Sequence, residues 1–155
     1  MGYFYVAISP CQFTAEQRRK TEQDHPGLRF PDDGRLPSQR DFEAVFGAHP
    51  EWQVDFGQRS NWWTADVRSP SQSASIRVDN YSGDPAREHD FYFESGDTEF
   101  VLEIADALAE RCGPFLIAGE GGDIIVMVNS DGSRSDVGET PAGGSRQAIR
   151  RRQGP

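Results

Sequence analysis

The chain has 155 residues, 35% of them apolar, and carries 25 acidic against 16 basic side chains for a formal charge of -9. That length and apolar content fit one domain with an adequate core. Residues 1–130 hold 22 Asp and Glu against 11 Lys and Arg, whereas residues 131–155 hold 3 against 5, so the acidic body disfavours nucleic acid and anionic membrane surfaces and favours a basic macromolecular partner.

The opening MGYFYVAISPC lacks a basic n-region, and its apolar run is too short for a signal peptide or a membrane helix. It reads as a first strand over Tyr3 to Ile8, and the expected location is the cytoplasm. Thr14, with Gln17 three places on, predicts the start of a charged helix that runs to Asp24 and lies on the surface. His25, Pro26 and Gly27 stop it, and Leu28 to Pro37 is a turn-rich loop. Ser38 caps a second helix with Phe42, Val45 and Phe46 facing inward, ended by Gly47 and Pro50.

From Glu51 to Glu94 the hydrophobic period becomes two, the signal for strands with one buried face. Trp52, Val54 and Phe56, then Trp63, Ala65 and Val67, then Ile76 and Val78, then Phe91 and Phe93 fall on the inner side. Four such strands in succession predict an antiparallel meander. Asp97 is placed to cap a third helix, in which Phe100, Val101, Ile104, Ala105 and Leu108 share one face; Arg111, Gly113 and Pro114 close it. Phe115 to Ala118 and Ile124 to Val128 read as a hairpin around Gly119, Gly121 and Gly122. Beyond Asn129 the chain turns polar, so the expectation is a globular α+β domain over 1–129 and a disordered polar tail over 130–155. Its Arg150, Arg151 and Arg152 form a solvated charge run.

No catalytic, cofactor-binding or metal-binding residues are assigned. Cys11 and Cys112 lack the spacing of a zinc site or a disulfide framework. His25 and His49 each precede Pro at a helix end, and only His89, between Glu88 and Asp90, has an acid/base neighbourhood. Glu88, His89 and Asp90 are consecutive, so on a strand they cannot converge on one metal ion. The glycines of the hairpin lack the third Gly of a dinucleotide fingerprint, since Ile124 stands there, and no Walker Lys follows. Asp32 and Asp33 in PDDG are turn chemistry.

The feature that points to function is the second face of the meander. It is expected to carry Trp62, Tyr81 and Tyr92 among Asp55, Asp66, Asp79 and Glu94. Aromatic rings supply hot-spot area in protein interfaces, while carboxylates steer and pair with a basic partner.

The order of elements and the stretch FYFESGDTEFVLEIADALAERCGPFLI resemble the strand-helix-Gly-Pro-strand core of small acidic immunity proteins of bacterial polymorphic toxin systems. The resemblance implies a cytosolic, non-enzymatic, single-domain inhibitor that occludes a cognate toxin. It carries over no functional residue, because the shared residues are structural. Two other readings stay open: a small enzyme with an acid/base site near His89, which requires a cleft joining His89 to distant carboxylates, and an assembly protein that self-associates through an exposed sheet edge. The oligomeric state is not fixed by the sequence.

Overall fold

The computed structural model describes residues 4–31, 34–120 and 125–136. Its strands are β1 (Tyr5–Ile8), β2 (Gln53–Gln58), β3 (Trp62–Arg68), β4 (Ser73–Asp79), β5 (Tyr92–Gly96), β6 (Phe115–Gly119), β7 (Ile125–Val128) and β8 (Arg134–Asp136), and its helices are α1 (Ala15–Asp24), α2 (Gln39–Gly47) and α3 (Thr98–Cys112). The strands form one eight-stranded sheet in the order β2-β3-β4-β5-β1-β6-β7-β8. Each neighbouring pair is antiparallel. The fold is therefore α+β and mainly antiparallel sheet, and β2 to β5 are the expected four-strand meander.

Alternation decides which face is buried. Trp63, Ala65, Val67, Ala74, Ile76, Val78 and Phe93 are all buried on one side. There α3 presses Phe100, Val101, Ile104, Ala105 and Leu108 against β4 to β7, and α2 packs beside it. Aromatic edges knit the layers: Phe42 of α2 meets Trp63 and Phe91 at ring-centre distances of 5.0 and 5.2 Å, and Phe91 meets Phe115 at 5.6 Å, all near perpendicular. Such edge-to-face pairs add about 1 kcal/mol each beyond the area they bury. A second, smaller cluster lies on the opposite face. Leu28, Phe13 and Phe30, from the segments flanking α1, cover Ile8, Leu116 and Met127 of β1, β6 and β7. As expected, α1 itself buries none of its residues.

Helix ends follow the predicted caps with one exception. Thr14 with Gln17 and Ser38 with Asp41 form reciprocal capping boxes, which satisfy backbone donors that the first turn leaves unpaired. Asp97 occupies the N-cap of α3 but makes no side-chain bond to its own helix. Its carboxylate instead accepts the N–H of Ser73, at 2.9 Å, so it ties the start of β4 to the start of α3. Gly113 ends α3 at φ 91°, a conformation that favours glycine.

Two further expectations are corrected. Phe56 is 46% exposed although its position is an inner one, because β2 is the edge of the sheet and α2 covers it only in part. The sheet also runs past residue 129: a turn over Asn129–Ser133, with Gly132 at φ 89°, leads into β8, which pairs with β7. Arg134 of β8 reaches Asp106 of α3 at 2.5 Å. Backbone pairing to an apolar neighbour, not side-chain hydrophobicity, makes that strand. The remainder of the predicted tail, residues 137–155, lies outside the described residues, as do Asp32, Asp33, Gly121 and Gly122.

Gly96 sets how closely α3 approaches the sheet. A Cβ there would stand 2.6 Å from Val101 Cγ2 and 3.0 Å from the Ala74 Cβ. Gly96→Ala is expected to destabilise the fold by about 1–3 kcal/mol through overpacking, read as a lower midpoint in urea unfolding. An unchanged midpoint would mean that α3 can retreat without cost.

Candidate functional site

The outer face of the sheet divides into two halves. Over β1, β6 and β7 it is closed by the Leu28 cluster. Over β2 to β5 no described element packs on it. Register sets the rows of this open half: Asp55 stands opposite Asp66 and Asp66 opposite Ser75, while Gly57, Thr64, Arg77 and Tyr92 form the next row and Trp62 pairs with Asp79. Period-two alternation thus brings Asp55, Trp62, Asp66, Asp79, Tyr92 and Glu94 onto one surface, as the sequence predicts.

Tyr81 is the correction. It is only 5% exposed and belongs to the main core, where its hydroxyl donates to Gln39 Oε1 at 2.5 Å. The cause is Asn80, whose φ of 56° is left-handed. Asn tolerates that region better than most residues, and the reversal ends β4 and turns the next side chain inward. Counting by twos fails at such a residue.

The same face holds cations that composition does not reveal. The Arg77 guanidinium lies 4.6 Å over the Trp62 ring centre, a cation–π stack that fixes the indole. Arg77 also donates to Asp79 at 2.8 Å and lies 4.0 Å from Glu94. Arg68 pairs with Asp55 at 2.9 Å, and Asp66 accepts the Ser75 hydroxyl at 2.6 Å. The hydrogen bond from Arg77 holds the Asp79 carboxyl below the usual range. Partial burial, then its bond to Asp79, pushes the Tyr92 hydroxyl up. Four carboxylates against two guanidinium groups leave the face acidic. The like-charged Asp55–Asp66 pair directly across the β2–β3 register is intrinsically unfavourable.

Beside this face Asp79, Asn80, His89, Asp90 and Tyr92 line a polar recess of about 350 Å³. Its carboxylates are Asp79, ten positions before His89 and already bonded to Arg77 and Tyr92, and the adjacent Asp90. The His89 ring is also fully engaged. Nε2 accepts the N–H of Ser82 at 3.0 Å, which fixes Nδ1 as the protonated nitrogen, donating to the Arg87 carbonyl at 2.9 Å. His49 stacks on Trp52 at 4.0 Å, and its Nδ1 lies 2.9 Å from the Val45 carbonyl. Among the described residues no group of three or more His, Cys, Asp and Glu could hold a metal ion. None of the described helices is long and apolar enough to cross a membrane.

The most strongly perturbed charges lie elsewhere, at the end of α3. Asp41, only 4% exposed, accepts from both Arg35 amino groups at 2.6 and 2.9 Å, from Arg111 Nε at 3.2 Å, and from the Ser38 backbone and hydroxyl at 2.8 and 3.0 Å. Burial alone would raise the carboxyl, but the Arg35 and Ser38 bonds outweigh it and hold Asp41 well below the carboxylate range. The sequence carried no spacing signal for this cluster, since its members lie 6 and 70 positions apart. Burial also pushes the adjacent Cys112 thiol up to about 12, so it is not a nucleophile near neutrality. No family model, curated protein or solved structure matches the chain.

Two outcomes follow from these groups. Because its folded value is depressed, Asp41 contributes stability that is complete above the unfolded value of about 3.9 and is lost as pH falls through the folded one. Asp41→Asn is therefore expected to cost about 3 kcal/mol at neutral pH, at the lower end for a buried pair because both arginines are partly in water, and to flatten the acid limb of the stability curve. Equal acid unfolding of the two proteins would remove Asp41 as the cause. A thiol reagent should modify one cysteine in the native chain, the exposed Cys11, and both after denaturation; rapid native labelling of Cys112 would contradict its burial.

Proposed function

We propose that this protein is a non-enzymatic, stoichiometric inhibitor of the bacterial immunity type, which docks a basic protein toxin on the open half of its sheet. The observation that carries the reading is the Asp55–Asp66 pair at the β2 side of an uncovered face that also holds, two rows along β3, a Trp62 ring held rigid by Arg77. Such a pair lowers the stability of the free protein, and a partner's Lys or Arg seated between the carboxylates relieves the repulsion. Trp62 and Tyr92 supply rigid aromatic anchors at low entropic cost. The mechanism is steric occlusion assisted by charge, with no cofactor, and a cytoplasmic location belongs to this reading.

Much of the acidity is already paired within the face, through Arg68 and Arg77. The partner therefore exchanges ion pairs instead of meeting bare carboxylates, so affinity rests on the aromatic anchors, and charge governs mainly the rate of encounter. Tyr81, being buried, is not part of the surface. The recess at His89 favours one second reading, a small acid/base enzyme; under it His89→Ala would abolish a hydrolytic or isomerase activity while sparing protein capture.

The test is capture of the partner from native lysate with the tagged chain, at low and raised salt. A single basic toxin-like protein released by salt is the expected result. Asp66→Asn should weaken capture while stabilising the free protein by about 0.5 kcal/mol, and Trp62→Ala should reduce affinity about 30-fold or more. Recovery of no toxin, or capture indifferent to both substitutions, would overturn the reading.

A further inference from the structure

The two edges of the sheet are unlike. β8 carries Arg134, tied to Asp106; a charged edge is one of the usual guards against strand addition. β2 is six residues long, has β3 as its one strand partner, and contains no Pro or Lys and no register shift against β3. It also displays Phe56, 46% exposed, the one large hydrophobic side chain in the open among the described residues. Gln53, Val54, Gly57 and Gln58 leave the rest of this edge uncharged apart from Asp55.

We infer that β2 pairs with β2 of a second copy of this chain, antiparallel about a twofold axis normal to the sheet, to join two sheets into one. The geometry selects the register. A normal twofold keeps both helix-bearing faces on the same side, so inner residues must oppose inner residues, and the strands must be centred on a residue. Two registers overlap most of each strand. One, centred on Asp55, sets carboxylate against carboxylate, which is destabilising. The other, centred on Phe56, brings the two exposed rings together, faces Asp55 with Gly57 and sets Arg59 opposite Gln53. Charge thus rejects the first register and aromatic pairing favours the second.

The inference is independent of the toxin-binding reading and leaves its surface free. Both outer faces end on one side of the joined sheet. Salt separates the two associations: screening weakens a bond between opposite charges, but strengthens pairing between two molecules that each carry -9.

The test is sedimentation velocity of the full chain over a concentration series, at low and raised salt. The expected result is a dimer that dissociates on dilution and tightens with salt, and whose dissociation constant rises about tenfold or more in Phe56→Lys. Circular dichroism checks that this variant folds. As a second variant, Phe56→Cys in a Cys11→Ser background should form an intermolecular disulfide under mild oxidation. A monomer at every concentration and salt overturns the inference, as does a dimer that is insensitive to Phe56→Lys or that fails to cross-link through Phe56→Cys.

Discussion

The arrangement depends on one buried carboxylate. Asp41 gathers two hydrogen bonds from Arg35, one from Arg111 and two from Ser38, and those donors come from the loop before α2, the last turn of α3 and the N-cap of α2. Removing an anion from water costs several kcal/mol, so the fold retains Asp41 only because every lone pair has a donor. The consequence is positional. With its N-terminus pinned to the end of α3, α2 lays Phe42 across Trp63 and Phe91, and the Ser82–Asp90 loop is held against the same end by backbone bonds from Arg40 to Pro85 and from His89 to Pro37. Both helices that cover the meander thereby sit on one side of it.

Coverage of one side fixes the chemistry of the other. Over β1, β6 and β7 the α1 region supplies apolar cover, and the strands there present Ile8, Leu116 and Met127 outward. Over β2 to β5 no cover is described, and the outward residues are Asp55, Trp62, Thr64, Asp66, Arg68, Ser75, Arg77, Asp79, Tyr92 and Glu94. This polar face would be unremarkable on solubility grounds alone. What solubility does not require is an aspartate opposite an aspartate, or an indole clamped beneath a guanidinium. The first costs stability in the isolated chain, and the second holds a large aromatic ring in a fixed pose on the surface.

Regular alternation made most of this legible in the sequence. Wherever a strand stays regular, the period of two assigns each side chain to a face, and it did so for Trp62 against Trp63 and for Asp66, Asp79 and Tyr92. It failed at Asn80, because a single left-handed residue reverses the parity and no hydrophobicity pattern records φ. It failed at Phe56 for another reason: alternation says which way a side chain points but not whether anything lies over it, and edge position is a property of the whole sheet. β8 was missed because its strand character comes from its neighbour. The Asp-Gly pair at Asp131 and Gly132 was the available turn signal. The Arg35–Asp41–Arg111 cluster had none, since a charge becomes a buried pair only after distant segments meet.

The ends of one sheet thus carry opposite solutions to one problem, the row of unpaired backbone groups that every open edge presents. At β8 the cation of Arg134 is spent on α3. At β2 a six-residue strand displays an aromatic ring in water with no such tie. Exposing that ring has a hydrophobic cost of the order of 1 kcal/mol, given that about half of it remains buried, and extra strand length adds no internal pairing beyond β3. An edge that is both longer and more apolar than stability of the single chain calls for is better explained by an external strand than by the chain itself, and a copy of β2 meets its length, its faces and its charge at the same time.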